Sequence, residues 1–213
     1  MYTPPAFRED DPAILRRIMR EARLATLITA TEEGLVATPL PLLLAETEGE
    51  FGTLYGHVAK ANPQWKLPTA HDALVVFAGA EAYVTPSWYT TKQEHGKVVP
   101  TWNYEAVHAY GPVEFFEDEE RLRDVVTRLT ELHEKSREQP WAVTDAPDAF
   151  IGAQLRGIVG LRLPIVRLQG KRKMSQNRPE ADRIGVAAGL AKSEKAGDRT
   201  VAAMIPTGPA RTS

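Results

Sequence analysis

The amino-acid sequence predicts a β-rich α+β fold, an antiparallel barrel or sandwich with flanking helices. Short apolar segments typical of strands recur from residue 24 to residue 116, and turns separate them. Two strongly amphipathic helical segments flank this series, one before it and one after it. Because a doubly wound parallel sheet needs a crossover helix after each strand, the absence of such alternation argues against that class.

The bulk composition is that of an ordinary globular protein. The chain has 213 residues, enough for one domain with a substantial core and an appended element. A formal net charge of −2 gives no overall attraction to nucleic acid or to anionic membranes, so binding to either requires a local basic patch. Because cysteine is absent, disulfides, thiolate chemistry and cysteine metal sites are excluded.

The start of the chain, MYTPPAFREDDP, lacks the basic region and the apolar core of a signal peptide. No apolar run approaches the length of a membrane span. We therefore expect a cytoplasmic protein with no membrane partner.

Three helices are expected on capping and periodicity. The first starts at Pro12 with Asp11 as its N-cap. Its apolar face comprises Ile14, Leu15, Ile18, Met19 and Ala22. The second follows the N-cap Asp118 and stops before Pro140, and the third covers residues 147–157. The buried stripe of the second helix comprises Leu122, Val125, Val126, Leu129 and Leu132.

The first two strands, residues 24–30 and 35–44, flank a turn at Glu33-Gly34. Pro39 and Pro41 lie two apart, so both missing N–H groups face the same side of the second strand. This places the strand at a sheet edge, at a bulge, or where its backbone faces a ligand. Further strands are expected over residues 52–58, 73–79, 82–85, 107–116 and 158–168.

The strand over residues 73–79 is almost wholly apolar, so we expect it to be central and buried on both faces. Residues 1–190 are expected to form a single domain. Residues 191–213 are rich in Ala, Gly, Thr and Pro without a periodic apolar face, which predicts a flexible C-terminal tail.

Several motifs that carry chemistry are absent. The sequence contains no GxGxxG in a strand–helix context, no GxxxxGK[ST], no GxSxG and no HExxH. The histidines have no metal-ligand spacing. We therefore predict no metal site and no catalytic residues.

Aromatic and polar residues concentrate in the middle of the chain. Residues 55–111 contain three of the four tryptophans, five of the six tyrosines and four of the five histidines. Aromatic bodies with polar tips suit a pocket for a planar ligand. A polar-rimmed core or a subunit interface uses the same residues.

Two segments of this region offer ligand contacts. GHVAKANPQW, residues 56–65, follows a strand and supplies His57, Lys60 and Asn62 as donors to a phosphate. The alternative is a solvated lysine beside an Asn-Pro turn. In YVTPSWY, residues 83–89, the side chains after the proline either contact a heteroaromatic ring or hold a surface corner.

Two further segments have the same ambiguity. In VVPTWNYEAVHAYG, residues 98–111, Asn103 both donates and accepts, which suits the pyrimidine edge of a flavin or a base. A buried asparagine instead caps a turn within the protein. Residues 167–178 hold five cations and no acid, which suits the phosphate of a cofactor or of nucleic acid, whereas a solvated strand end is the alternative.

Taken in order, MYTPPAFREDD, GHVAKANPQW, AYVTPSWY, VVPTWNYEAVHAYG and GKRKMSQNR resemble the PaiB family of FMN-binding negative transcriptional regulators. The likeness extends from residue 1 to about residue 190. It implies a flavin-type split β-barrel that forms a homodimer, with FMN at the subunit interface.

The resemblance also implies a set of cofactor contacts. His57, Lys60 and Asn62 fall in the segment that holds the FMN phosphate in related oxidases, and the strand with Thr38, Pro39 and Leu40 resembles the one beside the flavin ring. The remaining predicted contacts are Ser87, Trp88, Trp102 and Asn103, with Lys171, Lys173 and Gln176 reaching in from the second subunit.

The resemblance favours a flavin-binding regulator over an enzyme, one that acts on DNA directly or through a partner protein. The alternatives are an FMN-dependent oxidoreductase of the pyridoxamine-phosphate oxidase or flavin reductase type, and a haem-binding protein that uses His57 or His108.

Overall fold

The structure is a computed structural model that describes residues 1–22 and 24–208. The chain folds into two compact units. The terminal unit comprises Met1–Ile18, Ala78–Val107 and the chain from Gln169, and the inner unit comprises Met19–Phe77 and His108–Leu168. The two units interleave along the sequence. The single domain predicted for residues 1–190 stays a prediction.

The described residues form ten strands and six α-helices. The strands are β1 (Arg8–Glu9), β2 (Ala25–Thr31), β3 (Gly34–Leu40), β4 (Leu43–Ala45), β5 (Thr53–Ala59), β6 (Ala73–Val84), β7 (Thr101–Gly111), β8 (Glu114–Phe116), β9 (Ile158–Pro164) and β10 (Arg167–Lys173). The helices are α1 (Pro12–Glu21), α2 (Thr91–His95), α3 (Glu119–Glu134), α4 (Asp148–Leu155), α5 (Glu180–Ala191) and α6 (Ala196–Met204).

The strands form two sheets. One has the order β1-β10-β7-β6-β2-β3, and the other has the order β4-β5-β9-β8. β2 pairs antiparallel with both β3 and β6, and β5 pairs antiparallel with both β4 and β9. The predicted α+β class with antiparallel sheets is therefore confirmed.

Helix limits follow the predicted caps. The Oδ1 atom of Asp11 accepts a hydrogen bond from the backbone N–H of Ala13 at 2.8 Å. The Oδ1 atom of Asp118 accepts one from the N–H of Arg121 at 2.8 Å. Each carboxylate satisfies a helix N–H that has no partner within the helix, which fixes the start of α1 and of α3.

Each unit has its own apolar core. In the inner unit the buried stripe of α3 packs with α4; the cluster comprises Phe116, Leu122, Val125, Leu129, Val143, Ile151 and Leu155. In the terminal unit the cluster comprises Ala82, Val84, Tyr89, Met174, Val186, Leu190, Val201, Ala202 and Ile205.

Strand limits differ from the prediction where proline or glycine is present. The predicted strand over residues 35–44 ends at Leu40 and resumes as β4 at Leu43, because Pro41 has no N–H to continue the ladder. Gly56 of β5 lies against this interruption: a Cβ there would lie 2.6 Å from Cδ2 of Leu42 and 3.1 Å from the carbonyl oxygen of Pro41. A side chain at this position would displace Leu42 and crowd the carbonyl of Pro41, which glycine avoids.

Three other strand predictions were wrong in extent. The strand predicted over residues 107–116 starts at Thr101 and is interrupted after Gly111, which gives the two strands β7 and β8. The predicted strands over residues 73–79 and 82–85 are one strand, β6, which lies between β7 and β2 in its sheet, as expected of a central strand. The predicted burial on both faces was wrong, because only alternate residues from Ala73 to Phe77 are buried and Ala78 is exposed. The predicted strand over residues 158–168 is two strands, because β9 ends at Pro164. As a result, most of the basic segment lies within β10 instead of following a strand.

The structure also differs from the predicted C-terminal tail. Residues 196–204 form α6, and Val201 is fully buried in the terminal-unit core. Small Ala and Gly side chains let α5 and α6 approach closely, although they give little apolar periodicity in the sequence. The part of the predicted tail from residue 209 to residue 213 lies outside the described residues. Within residues 1–22 and 24–208, no helix is long and apolar enough to cross a membrane.

Candidate cofactor site

The turn after β5 is tied to β3 by Asn62. Its Oδ1 atom accepts a hydrogen bond from the N–H of Gln64 at 2.9 Å and so caps a short 3₁₀ helix, Pro63–Lys66. Its Nδ2 atom donates to the Oγ1 atom of Thr38 at 3.0 Å. The fully buried Gln64 donates from Nε2 to Thr29 Oγ1 at 3.0 Å. The predicted site residues Thr38 and Asn62 are therefore in direct contact.

Lys60 lies in this turn with its side chain half exposed. Its Nζ atom is 2.5 Å from Oε1 of Glu117, and both side chains have 48% exposure. Its backbone N–H donates to the carbonyl of Gly157 at 2.9 Å, and its carbonyl accepts from Nε1 of Trp65 at 3.0 Å. The backbone of Lys60 is thus satisfied within the protein, and its ammonium group is balanced by one carboxylate.

His57 lies on β5 and is partly buried. Its Nδ1 atom is buried and has no hydrogen-bond partner among the described residues. Burial lowers the pKa of the imidazole below its usual 6.5, so the ring is neutral at neutral pH. A buried polar atom without a partner is costly, which makes this nitrogen a candidate ligand contact.

The predicted flavin-facing strand is β3, which lies at the edge of its sheet. Pro39 is exposed and stands opposite Thr26, whereas Leu40 is buried. An edge position accommodates the missing N–H of proline, and it is one of the three alternatives that the sequence left open.

In the terminal unit, Ser87 and Trp88 belong to a short 3₁₀ helix capped by Thr85. Ser87 is exposed. Trp88 instead packs against α5: a Cβ at Gly189 would lie 2.4 Å from its ring, and one at Gly185 would lie 2.1 Å from its carbonyl oxygen. The indole ring of Trp88 is therefore part of the packing around the terminal-unit core.

Asn103 is fully buried and bonds Ser175 in both directions, at 2.9 Å and 3.1 Å. Gln176 accepts a hydrogen bond at Oε1 from the N–H of Met174 and donates from Nε2 to the carbonyl of Arg172. Both amides therefore organise the turn after β10, where Ser175 has a φ of 59°. These contacts match the internal alternative considered for Asn103.

The remaining predicted residues, Trp102, Lys171 and Lys173, lie on the neighbouring strands β7 and β10; Trp102 is half exposed, whereas Lys171 is buried. Lys173 donates from Nζ to Thr101 Oγ1 and to the carbonyl of Trp102, both at 2.5 Å. Lys171 donates to the carbonyl of Tyr2 at 3.2 Å, and its Nζ lies 5.2 Å from the ring centroid of Tyr104. We call the set Tyr83, Trp102, Tyr104, Lys171 and Lys173 the lysine–aromatic face.

Charge at this face is dense. Burial, together with the positive charges of Lys171 and Arg178, lowers the pKa of Lys173 below its usual 10.5. The predicted cofactor contacts include the two lysines and Trp102, and they leave out Tyr83 and Tyr104, which lie in the motifs at residues 83–89 and 98–111. Alternation along β7, which turns Trp102 and Tyr104 to the same side, was the signal that could have found Tyr104.

A polar cavity of about 500 Å³ lies in the inner unit. Its charged lining comprises Arg121, Arg128, Arg162, Glu120 and Asp124, and Tyr55 donates from its hydroxyl to Glu48 at 2.5 Å. Arg121 and Arg128 each have a carboxylate partner. This balance of charges does not favour an anion. No cluster of three His, Asp or Glu suited to a metal occurs in the described part of the chain.

Comparisons with known proteins agree with the resemblance. A family model described as "Putative FMN-binding domain" matches residues 1–167. The chain is 32% identical over 206 residues to the "Protease synthase and sporulation protein PAI 2" of Bacillus subtilis (strain 168), covering 96% of each chain. An uncharacterized protein of Emericella nidulans is 35% identical over 226 residues, covering 89% of this chain and 90% of that one.

Among solved structures, the "FAD and Heme binding protein from Mycobacterium smegmatis" is similar with a TM-score of 0.55 at 15% identity. The match covers 78% of this chain and 73% of that chain, and it concerns the fold alone. The chain therefore shares the split-barrel type of α+β fold with antiparallel sheets. Within that class, the chain belongs to the FMN-binding-domain family that contains the PaiB protein PAI 2.

Proposed function

We propose that this protein binds FMN and acts as a homodimeric negative regulator of transcription, as the PaiB family does. The family match over residues 1–167 supports the cofactor, and the name of the Bacillus relative connects that protein with protease synthesis and sporulation. The proposal includes control of transcription, on DNA directly or through a partner protein. It also includes the homodimeric form of this protein.

The observation that carries the FMN proposal is the donor set at the end of β5 and in the turn that follows it. The backbone N–H groups of Lys60 and Asn62 are bonded within the protein, so they cannot also hold a phosphate. The Lys60 ammonium and the unpartnered Nδ1 of His57 remain as donors. This set fits the anionic end of FMN, provided that the phosphate replaces Glu117 as the partner of Lys60.

Bound FMN would supply the flavin redox chemistry, and the protein would bind and orient it. Lys60 would hold the phosphate, the neutral His57 would add a hydrogen bond, and the edge strand with Pro39 would lie along the ring system. Glu117 would compete with the phosphate, because two anions cannot share one ammonium without repulsion.

A titration with FMN and with riboflavin, which lacks the phosphate, tests this arrangement. FMN binding is followed by quenching of flavin fluorescence. Lys60→Ala should weaken FMN binding about tenfold or more, because a charged hydrogen bond is lost. Glu117→Gln should tighten FMN binding by removing the competing carboxylate. Riboflavin affinity should stay the same in both variants.

The matched control is Lys66→Ala, an exposed lysine of the same turn whose ammonium lies 5.1 Å from the centroid of the Trp65 ring. Its FMN affinity should equal that of the parent protein. Absence of FMN binding at micromolar concentrations would remove the proposal. Equal effects of Lys60→Ala on FMN and riboflavin would remove Lys60 as the phosphate contact.

A further inference from the structure

We propose that a cavity in the inner unit binds a small organic amine, a molecule that carries an ammonium group on a short apolar body. The cavity has a volume of about 380 Å³ and lies between α3 and the segment of residues 142–148. It is distinct from the polar cavity beside Tyr55, and its described lining contains none of the predicted FMN contacts. The binding therefore goes beyond the proposed function and depends only on this cavity.

The walls of the cavity are held in place by bonds within the inner unit. The Oδ2 atom of Asp145 accepts a hydrogen bond from the N–H of Ala142 at 2.8 Å and closes a single turn of 3₁₀ helix. Val143 of this turn is buried in the inner-unit core. The Nη1 atom of Arg123 on α3 lies 2.9 Å from Oδ1 of Asp148, which ties the far end of the segment to the helix. Because the walls are already fixed, a ligand does not have to order them.

The lining combines apolar contact with hydroxyl groups. Thr127 and Thr130 of α3 line one wall, and Thr144 lines the other together with the methyl groups of Ala142 and Ala146. The three hydroxyls have no hydrogen-bond partner in the part of the chain that the structure describes. A hydroxyl oxygen accepts a hydrogen bond from an ammonium group, and methyl groups contact an apolar body. Mostly apolar walls with a few polar groups are typical of small-molecule sites of this size.

The charge of the lining favours a cation. Its charged side chains are Arg123 and the two carboxylates Asp148 and Glu131. Arg123 is already balanced, because it pairs with Asp148 and also with Glu119 at 3.5 Å. Glu131 has no ion-pair partner among the described residues, and it lies in the last turn of α3, where the helix dipole also favours a cation. An ammonium group is therefore attracted to the cavity, whereas an acid is repelled.

The test uses the full chain and three probes, with binding measured by isothermal titration calorimetry. 2-Phenylethylamine has an apolar body and is a cation at neutral pH, 2-phenylethanol has the same body without the charge, and methylamine has the charge without the body. We expect 2-phenylethylamine to bind most tightly and methylamine to give no measurable binding. 2-Phenylethanol should bind about two- to fivefold more weakly than the amine, because it lacks one partly exposed ion pair.

Glu131→Gln tests the charge. It should weaken 2-phenylethylamine binding about two- to fivefold and leave 2-phenylethanol binding unchanged, so that the preference for the amine disappears. The matched control is Glu138→Gln, at an exposed carboxylate of the same unit that does not line the cavity and has no ion-pair partner among the described residues. This control removes the same charge and should retain the preference.

Substitutions of threonine test the hydroxyls and the space. Thr127→Val with Thr130→Val keeps two methyl groups at each position and should weaken 2-phenylethylamine binding about two- to tenfold through lost hydrogen bonds. Thr127→Leu adds volume inside the cavity and should abolish binding of both aromatic probes. The control is Thr200→Val on α6, whose hydroxyl donates to the carbonyl of Ala196 outside the inner unit. Circular dichroism checks that each variant is folded.

Methyl NMR locates the bound probe. The methyl signals of Thr127, Thr130 and Thr144 should shift with 2-phenylethylamine, and that of Thr200 should not. The proposal would be overturned by shifts at Thr200 alone, by no binding of 2-phenylethylamine at millimolar concentrations, or by an unchanged preference for the amine in Glu131→Gln. Lys60→Ala, which weakens FMN binding in the preceding proposal, should leave the affinity for 2-phenylethylamine unchanged, so the two proposals fail separately.

Discussion

His57 has a depressed pKa because its imidazole is partly buried. The unfolded chain restores a pKa near 6.5, so below that pH the unfolded state binds more protons than the folded state. The free energy of unfolding should therefore decrease as the pH falls from about 6.5 through the folded-state pKa. His57→Gln should remove this part of the decrease.

Urea unfolding at about pH 7.5 and about pH 5 measures this effect. The control is His71→Gln, at an exposed position, which should leave the difference between the two pH values unchanged. A His57→Gln protein with the same pH dependence as the parent would show that His57 does not titrate as its burial indicates.

The sequence identifies His57, Lys60 and Asn62 because these side chains can donate hydrogen bonds and lie at or just after the end of a strand. The structure explains why the sequence could not give the role of each one. Lys60 pairs with Glu117, and three strands, β6, β7 and β8, separate these two residues along the sequence. The same limit applies to Asn103, whose partner Ser175 is 72 residues away. Sequence shows which groups can donate, whereas only tertiary structure shows which are already bonded.

At the scale of elements, the contact between α5 and Trp88 gives a sharp test. A Cβ at Gly189 would lie 2.4 Å from the Trp88 ring, so Gly189→Ala should force a displacement and lower the free energy of unfolding by about 1–3 kcal/mol. Thermal or urea denaturation measures it.

Gly197→Ala in α6 is the matched control. A Cβ there meets nothing closer than the carbonyl oxygen of Glu81 at 3.9 Å. Helix propensity should make this change neutral or stabilising by up to about 1 kcal/mol. Equal effects of the two substitutions would contradict the close packing of α5 on Trp88.

The sequence predicted where helices with an N-cap side chain start, but it did not predict the limits of strands that proline interrupts. Asp11 and Asp118 each placed a helix start correctly because the cap is a local interaction. The limits of β3, β4, β9 and β10 depend on Pro41, Pro164 and pairing partners distant in sequence. α6 was missed because it is short and buries only Val201 and Ala202, which are too few positions to show a helical period in the sequence.

For the whole molecule, the family resemblance predicts a homodimer with FMN at its interface. Light scattering after size exclusion should give twice the chain mass of 23.5 kDa. A cofactor that contacts both subunits binds the dimer preferentially, so FMN should lower the concentration at which the dimer dissociates. A monomer at every concentration tested, with and without FMN, would contradict this prediction.

The interleaving of the two units has a practical meaning for anyone who prepares shortened forms of this protein. The family model ends at residue 167, but the terminal unit continues from Gln169. The buried Glu105 pairs with two arginines, Arg17 and Arg172, and a protein cut at the family boundary would lose Arg172. It would also lose Ser175, the hydrogen-bond partner of Asn103. Homology limits alone are therefore an unsafe guide to where this chain can be truncated, and a stable fragment needs to extend at least through Ile205, the last residue of the terminal-unit core.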